Sequence, residues 1–310
     1  MKKLRFLVSL TTDDNDYQLE QASAAEEAAH RLGVDTEVIY AENDAINQSQ
    51  QLLKVVQGPK EGYPDGIILE PVGGTAFPHV ARAAAAAGIG WVVLNRDADY
   101  IQELRKTTRS PIFSISSDHS EIGRIQAQQV TALLPKGGTI LYIEGPSDNS
   151  AAKQRTSGMQ QRKPANITLV TMKGKWTGES ATRAVSSWMR LSTSQKAPVD
   201  LVCAQNDAMA MGARKAFQEQ ASDAARARWM NLPFLGVDGL RKTGQAFVRS
   251  GLLTGTVVVP PNTTLAMEML FEALQRGSQP APLAFTVPEA FPTIDEMVSR
   301  YMEKSRALTT

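Results

Sequence analysis

The chain has 310 residues, 42% apolar and 21% charged, with 33 Lys and Arg against 32 Asp and Glu. This is an ordinary soluble profile, too long for one small core and suited to two domains. The charge balance has no basic run, which argues against a nucleic-acid surface. The single Cys203 excludes an internal disulfide, and no apolar run approaches the ~20 residues of a membrane span.

In chain order, the opening MKKLRFLVSL has the basic start of a secretion leader. Its apolar stretch is short and runs into TTDDND with no small-residue cleavage site, so it is read as a first strand over 4–10. The chain is then either native to the cytosol or a mature form whose leader lies outside it. Apolar runs predict further strands at 35–40, 66–70 and 90–95, then a second series at 138–144, 167–172, 199–204, 233–237 and 253–258. Helical patterns fall near 18–32, 45–57, 75–87, 118–134, 151–162, 178–191, 207–220, 239–249 and 262–276. Continuous apolar strands alternating with helices predict parallel sheets covered on both faces, an α/β doubly wound architecture used twice.

Two segments break the rhythm. Residues 97–117, charged and carrying a Pro and a short strand at 112–116, read as a crossing between lobes. The Pro-rich GSQPAPLAFTVPEAFP over 277–292 reads as a second linker. The expected lobes are 1–109 with 260–288, and 110–259 with 289–310, with a ligand cleft between them. A last helix over 293–306 opens on TIDE, at capping-box spacing, and its stripe of Ile294, Met297, Val298, Tyr301 and Met302 reads as docking on a lobe.

Ligands of open α/β sheets bind beyond the carboxyl ends of the strands. Those tips are polar here: TTDDNDY (11–17), EPVGG (70–74), NRDAD (95–99), EGPSDNSAAKQR (144–155), KGKWTG (173–178), QNDAM (205–209) and DGL (238–240). Helix N-caps account for single Asn, Asp or Ser residues. They do not call for Glu70, Arg96, Arg155 or Trp176. Carboxylates, amides and guanidinium groups satisfy hydroxyls, which both donate and accept, and an aromatic face suits the C–H face of a sugar ring. The set therefore points to a polyhydroxylated small molecule. Of the adjacent Asn206 and Asp207, the helix needs one cap, which is assigned to Asp207, and Asn206 to the ligand.

AQNDAMAMGA (204–213), with SAAKQRTSGM (150–159), VLNRD (93–97) and LGVDG (235–239) in order, resembles the ribose-binding-protein-like periplasmic binding proteins. Their core is shared with lactose-repressor-type regulators, and the likeness runs from about residue 4 to about residue 285. The resemblance implies two doubly wound lobes joined by a multi-strand hinge. It also implies contacts from Asn15, Tyr17, Asn95 and Arg96 in the first lobe and from Arg155, Trp176, Asn206 and Asp238 in the second, with Glu70 similar in position to a polar first-lobe residue. Asn95 stands where ribose binders have Asp, Gln18 where an aromatic is common, and Val259 where a hinge Gln is expected. These departures argue against ribose itself and leave a sugar-like ligand.

The resemblance further implies a monomeric solute-binding protein that hands its ligand to an ABC permease or membrane receptor. Its place would be the periplasm, or the cytoplasm if Met1 is the native start. No cofactor, metal or nucleic acid is expected. An enzyme is disfavoured: the first turn, SLTTDDND, has no glycine pattern for a dinucleotide, and His30, His79 and His119 are dispersed. The alternatives are a repressor core without its helix-turn-helix segment and an extracytoplasmic sensor domain.

Overall fold

The structure, a computed structural model, describes residues 3–73, 76–96, 98–191, 198–220 and 223–307. Gly74 and Asp97, both within motifs singled out on sequence, lie outside the described residues.

The chain begins with β1 (Arg5–Leu10), α1 (Asp16–Leu32), β2 (Asp35–Tyr40), α2 (Ala45–Val56), β3 (Gly66–Leu69), α3 (Pro78–Ala86), β4 (Gly90–Leu94), α4 (Ile101–Thr107) and β5 (Ile112–Ser117). It continues with α5 (His119–Leu133), β6 (Gly138–Glu144), α6 (Ser150–Arg162), β7 (Ile167–Lys173), α7 (Gly178–Met189), β8 (Val199–Ala204), α8 (Asp207–Gln220), α9 (Asp223–Met230), β9 (Phe234–Leu235), α10 (Gly244–Arg249) and β10 (Thr256–Val258). It closes with α11 (Asn262–Arg276), β11 (Leu283–Thr286), β12 (Glu289–Phe291) and α12 (Ile294–Ala307). These elements form two compact units, Met1–Ser117 with Pro260–Thr286, and Asp118–Val259 with Val287–Thr310.

Among its described residues, unit 1 holds a six-stranded parallel sheet in the order β11-β5-β4-β3-β1-β2. Its strands are apolar throughout because both faces are covered. Leu7, Ile67, Leu69, Trp91 and Val93 pack with Leu52 of α2 and Val80 of α3. Their neighbours Phe6, Val8, Ile68 and Val92 pack on the other face with Ala25 of α1 and Met267 of α11. The helices begin and end where capping chemistry dictates. The Asp44 side chain accepts from the N–H groups of Ile46 and Asn47 to open α2, and Gly33, left-handed at φ 68°, closes α1.

Unit 2 holds, among its described residues, a parallel sheet β7-β6-β8-β9 and an antiparallel pair β10-β12. Leu141, Ile143 and Val202 face Val185 of α7 and Phe217 of α8, while Ile140, Tyr142 and Cys203 face Val130 of α5 and Met159 of α6. Helices α5 and α6 touch backbone to backbone: a Cβ on Gly123 would lie 2.0 Å from the Arg155 carbonyl oxygen. Helix α12 docks on this unit. Met297 is fully buried, with Ile294, Val298 and Tyr301 packed around it, whereas Met302 of the expected stripe is exposed. Its capping box is formed by reciprocal Thr293 and Glu296 bonds.

Three expectations are corrected. Residues 112–117 pair with β4 and belong to unit 1, so the first change of unit falls after Ser117 and not after residue 109. The stretch 277–292 is not a bare linker. It carries β11, which pairs with β5 at the sheet edge, and β12, which pairs with β10. Pro280, Pro282, Pro288 and Pro292 flank these short strands rather than interrupt them, so composition hid both strands. Helices α4 and α9 also fall in stretches where no helix was expected.

Candidate functional site

In unit 1 the polar tips of β1, β3, β4, β5 and β11 form one hydrogen-bonded cluster. Glu70, 5% exposed at the tip of β3, is its centre. Its Oε2 accepts from Gln18 Nε2 at 3.1 Å and from Asn95 Nδ2 at 3.2 Å, and Arg96 Nη1 stands 3.8 Å from its Oε1. A carboxylate this buried is costly unless it is paired and hydrogen-bonded, and these three groups offset that cost. Two backbone donors orient the amides. Thr11 N–H donates to Gln18 Oε1 at 3.2 Å and Ser117 N–H to Asn95 Oδ1 at 3.4 Å, so both amide nitrogens face Glu70. Asn95 Nδ2 also reaches Tyr17 Oη at 3.4 Å, and the Arg96 guanidinium donates to the Asn95 carbonyl at 2.8 Å.

The far side of Asn95 leads into a second chain of bonds. Asn262 Nδ2 donates to Asn95 Oδ1 at 2.5 Å, Thr286 Oγ1 donates to Asn262 Oδ1 at 2.8 Å, and the Ser117 and Thr286 hydroxyls lie 3.1 Å apart. Ser117 and Thr286 are the last residues of the two unit 1 segments. Asn15 serves α1: its Oδ1 caps the helix by accepting from the N–H groups of Tyr17 and Gln18.

In unit 2 the corresponding cluster lies at the tips of β6, β7, β8 and β9. Arg155 of α6, 6% exposed, donates through Nη1 to the Gln205 carbonyl and through Nε to His119 Nδ1 at 3.4 Å. Its guanidinium lies 5.4 Å from the centroid of the Trp176 ring, a cation–π contact. The Trp176 backbone is anchored by Asn206, whose Nδ2 donates to the Trp176 carbonyl at 2.9 Å. Asp238 follows β9, half-buried. Its N–H donates to the Val257 carbonyl and its carbonyl accepts from Val259 N–H, both at 3.0 Å.

The triplet after β8 divides its labour differently from the expectation. Asn206, not Asp207, caps α8, since its Oδ1 accepts from Met209 N–H at 2.9 Å. Asp207 is turned inward, accepting from Gly239 N–H at 2.8 Å and from the Thr256 hydroxyl at 2.7 Å. Gln205, fully buried, joins β6 to α6. Its Oε1 accepts from Gly145 N–H and its Nε2 lies within hydrogen-bond distance of Tyr142 Oη, the Ala152 carbonyl and Thr156 Oγ1. Cap geometry depends on where the last strand residue ends, and spacing alone did not resolve adjacent Asn and Asp.

Three of the residues singled out on sequence, Asn95, Trp176 and Asp238, have left-handed backbone at φ 55°, 65° and 102°. Such conformations cost non-glycine residues about 1–3 kcal/mol each and gather at ligand sites. Of the nine residues, Tyr17, Glu70, Asn95 and Arg96 meet in the unit 1 cluster, with Asn15 at its helix cap. Arg155, Trp176, Asn206 and Asp238 sit at the unit 2 edge. Sequence reasoning did not place Ser117, Asn262, Thr286 or His119 in these clusters. Asn262, directly after Pro260 and Pro261, had a signal in its position at a change of unit.

A family model described as "Periplasmic binding protein domain" matches residues 6–279. The chain belongs to this family, with the ribose-binding-protein-like, type I architecture. It is 24% identical over 260 residues to the ribose import binding protein RbsB of Bacillus subtilis (strain 168), covering 84% of this chain and 77% of that protein. It is 27% identical over 217 residues to a putative rhizopine-binding protein of Rhizobium meliloti, covering 68% of this chain and 66% of that one. Among solved structures, the periplasmic solute binding protein of an ABC transporter from Actinobacillus succinogenes 130z with bound D-allose superposes with a TM-score of 0.80. It is 20% identical and covers 96% of this chain and 100% of that one. The Caulobacter myo-inositol binding protein bound to myo-inositol gives 0.77 at 20% identity, with 97% of each chain covered.

Proposed function

We propose that this protein binds a sugar or sugar-like polyol through the polar clusters at the carboxyl edges of its two units. The ligand-bound form is then recognised by an ABC-type permease or a membrane receptor in the periplasm. The observation that carries this reading is that each unit links a buried charged group, an amide and an aromatic: Glu70 accepts from Asn95, which reaches Tyr17, and Arg155 lies over the Trp176 ring, whose backbone Asn206 holds. Charged side chains already held in place by neighbouring groups bind hydroxyls without first having to be ordered. The ligands of relatives and fold neighbours, among them ribose, D-allose and myo-inositol, support the same chemistry. Arg96 and Asp238 complete the proposed contacts, with Asn15 and Asn206 contributing their amide nitrogens.

The test is a thermal-shift screen over D-ribose, D-allose, L-arabinose, xylitol and myo-inositol. A binding polyol raises the melting temperature by mass action, by about 2.7 kcal/mol of added stability at a hundredfold excess over Kd. Glu70→Ala and Arg155→Ala should each abolish the shift while circular dichroism stays native. A screen without any shift, or full affinity in both variants, rejects the reading.

A further inference from the structure

Asp207 is the group in unit 2 whose role capping does not explain, because Asn206 already caps α8. It is 4% exposed, and its two carboxylate oxygens are divided between two partners, Gly239 N–H and the Thr256 hydroxyl. Its own N–H donates to the Val237 carbonyl at 2.6 Å. The surrounding backbone is shaped to it. A Cβ on Gly236 would lie 2.1 Å from Oδ1, and one on Gly244 would lie 2.0 Å from Oδ2. Burial first, and then the Asp238 carboxylate, push the Asp207 carboxyl up, against the opposing pull of Thr256, Gly239 and Arg155.

The residue before Gly239 is Asp238, held at φ 102°. That conformation persists in a non-glycine residue only where its surroundings over-determine it. Two restraints do so here. On one side the backbone of Asp238 is bonded to Val257 and Val259, and on the other the next N–H is bonded to Asp207. We infer that Asp207 is a positioning residue, whose carboxylate fixes the 238–239 turn and so the place of Asp238 in the ligand site. The effect on affinity rests on the polyol reading proposed above; the effect on the turn does not.

The test separates positioning from bulk stability. Asn at 207 can keep both bonds: its oxygen accepts from Gly239, and its nitrogen donates to Thr256 Oγ once that hydroxyl rotates. Ala keeps neither. Amide hydrogen exchange is followed in wild type, Asp207→Ala, Asp207→Asn and Asn206→Ala. Thr256→Val is made in parallel as an isosteric loss of one partner, so that the outcome does not depend on Asp207→Ala folding. Exchange at Gly239 should rise about tenfold or more in Asp207→Ala, the size of one lost buried hydrogen bond, and in the same direction in Thr256→Val. Asn206→Ala should instead expose Met209. Affinity for whichever of D-ribose, D-allose or myo-inositol binds tightest should fall about tenfold in Asp207→Ala and return to within about threefold in Asp207→Asn. Gly239 exchange unchanged in both Asp207→Ala and Thr256→Val overturns the inference, as does an equal loss of affinity in the Ala and Asn variants. If no sugar binds wild type, the polyol reading fails and the exchange data alone decide the role of Asp207.

Discussion

Gly123→Ala sets helix propensity against packing. Inside a helix, Gly to Ala should stabilise by about 0.5–1 kcal/mol, because glycine gives up more chain entropy. At Gly123 the added methyl would lie 2.0 Å from the Arg155 carbonyl oxygen and 2.8 Å from Met159 N, both backbone atoms of α6. Neither can rotate away, so the two helices must part by about 1.2 Å to reach a contact near 3.2 Å. Overpacking of this kind costs up to about 3 kcal/mol, leaving a net loss of about 2 kcal/mol after the propensity gain. In a domain of this size that lowers Tm by about 4–8 °C. Because α6 carries Arg155, its bond to the Gln205 carbonyl and its contact with Trp176 should loosen together. Urea unfolding by circular dichroism and a thermal melt measure the cost. Gly62→Ala, where a Cβ meets nothing within 4 Å, is the control. If Gly123→Ala is as stable as wild type or more so, the packing argument is refuted.

Asn206→Ala removes the α8 cap and the anchor of the Trp176 backbone, for a loss of about 2 kcal/mol in urea unfolding and a shift in tryptophan emission; an unchanged midpoint contradicts the assignment. The raised Asp207 carboxyl gives stability a definite pH slope. The unfolded chain loses this proton near pH 3.9 while the native state keeps it to higher pH, so stability is greatest below that value. It falls as pH rises through the native pKa and then levels off. Asp207→Asn should remove this slope from a series of urea midpoints, and an identical slope in both proteins refutes it. Burial pushes the Cys203 thiol well up, so Ellman's reagent at about pH 8 should leave the folded protein untouched and react once it is unfolded. Rapid native modification would place Cys203 nearer the surface than its full burial allows.

Much of the architecture was legible in the chain because parallel strands covered on both faces have no polar side. Runs such as 66–69 and 90–94 are therefore apolar without alternation, and the polar residues collect where those runs stop. That pattern places Glu70, Asn95, Trp176 and Asp238 at or just beyond strand tips, and Arg155 on the helix that follows β6. Strands β11 and β12 are not legible in the sequence because they are only four and three residues long and are flanked by prolines that read as a linker.

By itself the sequence determined the two series of strands and helices, and with them the edges on which polar groups gather, because periodicity and polarity are local properties of the chain. Only the tertiary structure decided what each polar group does. Glu70 became the centre of a cluster by meeting Gln18 and Asn95, 52 and 25 residues away along the chain. Asp207 left the helix cap to Asn206 because Gly239 and Thr256, 32 and 49 residues on, supply the two donors its buried carboxylate requires. A buried polar group takes whatever partner the fold brings within reach, and sequence spacing carries no record of that choice.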